Sequence, residues 1–189
     1  MSTLIATPFH YSLDGYLAAE DSKFLEFCFQ LFEELPNDEE QLALLSSADV
    51  HIMGRSAYEG MSRHFMSEAA LDHPFYDLLN SGRKVVFSRT MTEAAWANTT
   101  IASGDTSLEI QQLRNIGNGV IVAWGGVGLW RSLMQLDLID EWHISLFPWI
   151  AGDGVRLFDD SVQDYQLEYV SSNASSNGIV ELKYRRPRL

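Results

Sequence analysis

The stretch that most constrains this chain is Val120–Leu129, VIVAWGGVGL. Its apolar run through Trp124, bounded by Gly119 and Gly125, reads as a buried strand. The Gly125-Gly126 pair then turns the chain, with Gly128 close behind. Val127, Trp130, Leu133 and Met134 follow at helical spacing, so the turn opens a helix. Such a corner has two readings. It is either a tight packing turn that needs small residues, or a site for an anion. For an anion, outward N–H groups, the missing Cβ atoms and the helix dipole all act together.

The rest of the chain alternates in the same way. Thr3–Tyr11 reads as a first strand, with Pro8 unable to donate a ladder hydrogen bond. SLDGYLA, Ser12–Ala18, carries an Asp14-Gly15 turn. Glu20–Leu35 places Phe24, Phe27, Cys28, Leu31 and Phe32 on one face of a helix, either as core or as part of an aromatic pocket wall. Asn37 or Asp38 is placed to cap a second helix running to Leu45. Val50–Gly54 is a strand that again ends in glycine, followed by Arg55, Ser56, Ala57 and Tyr58. Met61–Ala70 has no firm signature. A helix is expected over Asp72–Leu79, strands over Val85–Phe87 and Thr99–Ala102, and a helix from Asp105 or Thr106 to Arg114. Trp142–Phe147 reads as a strand, and Gly152-Asp153-Gly154 makes a second turn before Val155–Phe158. Tyr165–Ser171 and Ile179–Arg185 form a hairpin around a loop rich in Ser, Asn and Gly.

Strands alternating with helices, then a terminal hairpin, give an α/β class: a three-layer mixed sheet flanked by helices, with an antiparallel C-terminal hairpin. No repeat or shift in composition divides the chain, so one domain over residues 1–189 is expected. The formal charge of -13 argues against a nucleic-acid partner, since phosphate contacts need clustered Lys and Arg. No stretch has the length and apolarity of a membrane span, and no basic leader precedes the first strand. A cytoplasmic protein without membrane contact is the expectation. The one cysteine, Cys28, has no partner within the chain and sits among core residues.

Four stretches together resemble one family. GGVGLWRSLMQLDLIDEWHISLFPWIAGDGVRLF, MGRSAYE, SLDG and the Ser88-Arg89 pair are similar to the dihydrofolate-reductase-like family that includes the C-terminal reductase domain of the bifunctional riboflavin-biosynthesis protein. The late glycine turn, with no acid placed after it for a ribose, separates this pattern from the GxGxxG fold. The resemblance implies a dihydrofolate-reductase-like sheet and an NADPH cofactor. It implies that Gly54, Arg55 and Ser56 bind the nucleotide, with Arg55 on a phosphate. Ser88 and Arg89 would hold the ribose 2′-phosphate, and Gly125, Gly126, Val127, Gly128 and Leu129 would complete the cofactor site. Hydride transfer to a pyrimidine- or pteridine-like small molecule, or to a ribosylamino substrate, follows from the same resemblance. Asp14 and Glu141 are then the candidate catalytic carboxylates, and no metal is implied. The chain departs from the family at Ala57, where a threonine is usual, and at His10-Tyr11 in the first strand. Two alternatives stand beside this reading. One is a true dihydrofolate reductase, for which Glu26 is the available helix acid. The other is a ligand-binding protein on the same fold without turnover. Trp142, Ile144, Leu146 and Trp149 either pair two chains in a homodimer or pack beneath helices.

Overall fold

The earliest strand lies in the middle of the sheet. In a computed structural model, which describes residues 1–33, 39–160, 162, 164 and 166–187 without the side chains of Phe32 and Glu33, the strands are β1 (Thr3–Ala6), β2 (Tyr11–Ser12), β3 (Tyr16–Leu17), β4 (Ala48–Gly54), β5 (Lys84–Phe87), β6 (Thr99–Ala102), β7 (Val120–Ala123), β8 (Glu141–Phe147), β9 (Val155–Arg156), β10 (Glu168–Ala174) and β11 (Val180–Arg185). Their order is β6-β5-β4-β7-β1-β8-β2-β3-β9, with β11 also on β8 and β10 on β11. From β6 to β8 every pairing is parallel. The pairings β8–β11 and β10–β11 are antiparallel. The carboxyl ends of β4, β5, β7 and β1 therefore open at one end of the sheet.

Helices cover both faces because strand residues alternate between them. On one face α5 (Thr106–Arg114) and α6 (Val127–Gln135) bury Ile110, Leu113, Trp130 and Leu133 against Leu4, Ile52, Ile121 and Trp142. Each such fully buried aliphatic side chain contributes about 1.5–3 kcal/mol. On the other face α3 (Arg55–Phe65) and α4 (Tyr76–Ser81) close over Met53 and Val86. Beside them α1 (Lys23–Glu33) sets Phe24, Cys28 and Leu31 against Phe147 and Ile179. Burial pushes the Cys28 thiol up to about 12, as befits a packing residue. α2 (Glu39–Ser46) completes the layer.

Several boundaries differ from expectation. The first strand stops at Ala6 and resumes at Tyr11, because Pro8 donates no N–H and His10 turns through φ 58°. α1 begins at Lys23 and is capped by Ser22, whose hydroxyl accepts from the Leu25 amide at 3.1 Å. Its expected end at Leu35 and the expected caps Asn37 and Asp38 fall outside the described residues, as does Tyr165. The segment Met61–Ala70, which has no sequence signature, continues α3 to Phe65 and then makes a 3₁₀ turn at Glu68–Ala70. α4 starts at Tyr76 rather than Asp72. After the Gly152-Asp153-Gly154 turn, only Val155–Arg156 pairs as a strand. Of the residues suggested for a homodimer, Trp142 and Ile144 are buried while Leu146 and Trp149 are partly exposed, and the β8 edge is occupied by β11. Among the described residues no helix is long and apolar enough to cross a membrane.

Candidate functional site

Two glycine turns meet at the carboxyl end of the sheet. β4 ends in Gly54, whose amide donates to the Gly125 carbonyl at 2.8 Å, while the Trp124 amide just before it donates to Ile52 O at 2.9 Å. A Cβ on Gly126 would lie 3.1 Å from Gly54 Cα, and the residue holds φ at +83°. Gly125 is left-handed as well, at φ +139°. Only glycine satisfies both the backbone angle and the close approach. A Cβ at Gly128, in contrast, would meet open space.

This contact places two helix starts side by side. α3 follows Gly54 directly and α6 follows Gly126; neither has a side-chain cap or an acid in its first turn. α5, which lies elsewhere, is capped by Asp105 through the Leu108 amide. In α6 the Gly126 carbonyl accepts from Leu129 and Trp130, so Leu129 already belongs to the helix ladder. The amides of Val127 and Gly128 precede that ladder and have no acceptor within the helix. Uncapped N-termini favour negative charge.

Basic and hydroxyl groups gather on the β5 side. The Arg55 guanidinium, on the exposed first turn of α3, donates to Glu59 at 2.7 Å and to the Thr90 hydroxyl at 3.1 Å. Ser88, just past β5, accepts from the amides of Met91 at 3.1 Å and Thr90 at 3.3 Å. Arg89 is exposed and makes no hydrogen bond or ion pair among the described residues. Ser56 lies exposed on the same turn of α3 as Arg55. The structure thus brings Gly54, Arg55, Ser56, Ser88, Arg89 and the Gly125–Leu129 corner to one end of the sheet.

The two candidate carboxylates sit on other elements. Asp14 accepts from the Ser12 hydroxyl at 2.7 Å, the Ala151 amide at 2.9 Å and the Gly152 amide at 2.7 Å, tying the β2–β3 turn to the loop after β8. These bonds, led by that from Ala151, hold its pKa down to about 2. These bonds make Asp14 a clamp between the two segments. Glu141 opens β8 opposite Ile5 and contacts His143 Nε2 at 3.3 Å. Its register matches Val122, three residues before Gly125, or about 10 Å down the strand. Glu26, the helix acid that a folate site would use, is exposed on α1.

Aromatic side chains outside the glycine turns line the same end. Phe9, past β1, stacks on Trp124, past β7, with ring centroids 5.4 Å apart at 22°. The Trp124 indole N–H donates to His51 Nδ1 at 3.0 Å. His10 adds ring contacts to Phe29 and Phe147. The signal in the sequence was a lone histidine inside the apolar β4 run and a tryptophan immediately before the glycine pair.

The sheet order, the late glycine corner and the paired helix starts define a dihydrofolate-reductase-like α/β protein. Within that class the chain belongs to the RibD C-terminal domain family, which it matches over residues 3–181. It is similar to the crystal structure of a protein assigned to riboflavin biosynthesis from Shewanella sp. PV-4, with TM-score 0.76, 27% identity, and 98% of this chain and 99% of that one covered. Two more distant structures share the fold. One is the diaminohydroxyphosphoribosylaminopyrimidine deaminase/5-amino-6-(5-phosphoribosylamino)uracil reductase of Thermotoga maritima, with TM-score 0.61 and 17% identity, over 97% of this chain and 56% of that one. The other is dihydrofolate reductase from Enterococcus faecalis complexed with NADP(H), with TM-score 0.61 and 14% identity, over 98% and 97%.

Proposed function

We propose that this protein is an NADPH-dependent reductase that transfers hydride to a nitrogen heteroaromatic small molecule of the pyrimidine or pteridine type. The observation that carries the reading is the Gly54–Gly125 contact, which sets two uncapped helix N-termini beside Arg55, Ser88 and an unengaged Arg89. That donor set suits a dinucleotide with an extra phosphate: backbone amides for the pyrophosphate, and a guanidinium with a hydroxyl for the 2′-phosphate. Family membership supports it, as do the NADP(H) complex of the Enterococcus enzyme and the uracil-derivative reductase activity named for the Thermotoga protein.

A reduced nicotinamide bound here supplies the hydride. The protein's own residues orient and enclose. Gly126 and Gly128 let the backbone approach a phosphate closely, and Arg55 would exchange Glu59 and Thr90 for it. Asp14 fixes the loop that follows β2, and the aromatic residues past β1 and β7 exclude water from the reacting carbon. Ala57 lacks the hydroxyl that a threonine would offer, a loss of about 1 kcal/mol in cofactor affinity.

Calorimetric titration with NADPH and NADH tests this reading. Micromolar NADPH binding with NADH much weaker is the expected result. Binding of neither nucleotide would overturn it.

A further inference from the structure

Acidic residues outnumber Lys and Arg by 26 to 13 in this chain, so an arginine that meets no carboxylate calls for an account. Arg156 is one. It is exposed on β9 and pairs with no acid among the described residues. It is nevertheless held still. Tyr16 lies directly opposite it across the β3–β9 pairing. The guanidinium sits over the Tyr16 ring, 4.5 Å from the centroid, and Nη2 donates to the Tyr16 hydroxyl at 2.9 Å. Its backbone is tied as well, because Arg131 of α6 donates to the Arg156 carbonyl. A guanidinium has five N–H donors, and the bond to Tyr16 uses one. Fixed in this way, the side chain loses little freedom on meeting a ligand.

A second donor converges on the same place. The β2–β3 turn requires glycine at Gly15, where φ is +88°. A Cβ there would lie 3.4 Å from the Tyr11 hydroxyl and 3.9 Å from Arg156 Nη1, with no other atom within 4 Å apart from the adjoining turn residues. The missing side chain thus leaves a notch between a phenol and a guanidinium. An oxygen atom in that notch reaches both donors with a small shift. Burial pushes the Tyr11 pKa up, which keeps its proton available for donation. The acids nearby are engaged elsewhere: Asp14 accepts from Ser12, Ala151 and Gly152, and Asp159 pairs with Arg131 at 2.8 Å. A charged fork and a hydroxyl on separate residues around open space suit a phosphate, with each donor taking a different oxygen.

We propose that Tyr11, Arg156 and the space over Gly15 form a binding site for the phosphate monoester of a small ligand other than the dinucleotide. The site is built on β2, β3 and β9, whereas the glycine turns follow β4 and β7, and it does not depend on the reductase reading.

The test titrates the full chain, saturated with NADPH, by calorimetry. The probes are inorganic phosphate and ribose 5-phosphate, with ribose as the uncharged control. The variants are Arg156→Leu, Tyr11→Phe and Arg89→Ala. Both phosphates should bind the parent protein and ribose should not. R156L should weaken the phosphates at least about tenfold and Y11F about fivefold, while R89A matches the parent. Y11F keeps the ring packed on Phe158, so it decides the matter if R156L does not fold. Equal phosphate affinity in R156L and parent, or no binding of either phosphate, overturns the site. Equal affinity in Y11F and parent overturns the part given to Tyr11. NADPH binding that weakens tenfold in R156L assigns the notch to the dinucleotide and overturns the inference as well. If NADPH does not bind at all, the reductase reading falls alone. The same titration on nucleotide-free R89A then decides this site: loss of phosphate binding on adding R156L supports it, and no change overturns it.

Discussion

The Lys84 ammonium is buried against the Leu79 carbonyl at 2.6 Å. Lys84 is 0% exposed, also donates to Gly82 O at 2.7 Å, and sits 4.6 Å from the centroid of the Trp96 ring. It closes the C-terminus of α4, where the helix dipole favours a cation. Burial nonetheless pushes its pKa down to about 8. We predict that Lys84→Met destabilises the protein by about 1–3 kcal/mol, because the carbonyls it serves lose their donor. Urea denaturation checks this. An unchanged midpoint would mean that burying the charge costs as much as its bonds contribute.

Acid should weaken the fold through two histidines. Burial lowers both His10 and His51 to about 4, with Lys84 adding to the effect at His51. Below the ordinary histidine pKa of 6.5 the unfolded chain binds protons that the folded one refuses. Their stabilising contribution is therefore complete above pH 6.5 and is lost as pH falls through 4. At about 1.4 kcal/mol per unit, each accounts for roughly 3 kcal/mol at most. Melting temperature measured from pH 7 to pH 4 should fall, and more gently in His51→Asn. Identical slopes in parent and variant would refute the assignment to His51.

Gly126→Ala places a Cβ 3.1 Å from Gly54 Cα at a φ of +83°. We expect a loss of about 1–3 kcal/mol in stability, from strain at that angle. The α3–α6 corner should also separate and nucleotide binding should disappear. A variant that binds NADPH normally would show that the corner tolerates the displacement.

Arg89→Ala removes an exposed guanidinium with no partner among the described residues, so stability should not change. If it meets a 2′-phosphate, NADPH affinity falls by about 10–100-fold, the value of a charge-assisted contact, and NADH affinity does not move. Parallel losses for both nucleotides would place Arg89 elsewhere on the cofactor.

Asp14→Asn keeps the size of the side chain but weakens three bonds to Ser12, Ala151 and Gly152. Limited proteolysis should then cut faster near Gly152-Asp153-Gly154, with the melting temperature little altered. Protection equal to the parent would mean the loop is held by other contacts, such as the Tyr16–Arg156 hydrogen bond.

Much of the site could be read in the sequence because it resides in backbone turns. Gly54, Gly125 and Gly126 announce their positions by type, since a left-handed angle or a close approach tolerates little else. The strands read well where apolar runs are continuous, as at Val120–Ala123. What escaped was long-range pairing. Asp14 reads locally as a turn residue in SLDG, and nothing near it in sequence shows that the amides of Ala151 and Gly152 arrive from far along the chain to bond it. His51 looks like an ordinary strand residue until Trp124 donates to it. The run Met61–Phe65 could be either loop or short helix in the sequence, because its exposed polar face, rich in Ser, Arg and His, lacks regular apolar spacing beyond Met61 and Phe65.

The central position of β1 bears on how the molecule comes into being. Thr3 pairs with Val120 and Ile5 with Glu141, so β1 is flanked by two strands that are synthesised long after it. Loop closure over such separations is slow, and until it happens Leu4 and Ile5 have no neighbours to cover them. A nascent chain that stops short of the β8 segment carries an unclaimed apolar β1, and chaperone capture during synthesis should be concentrated there.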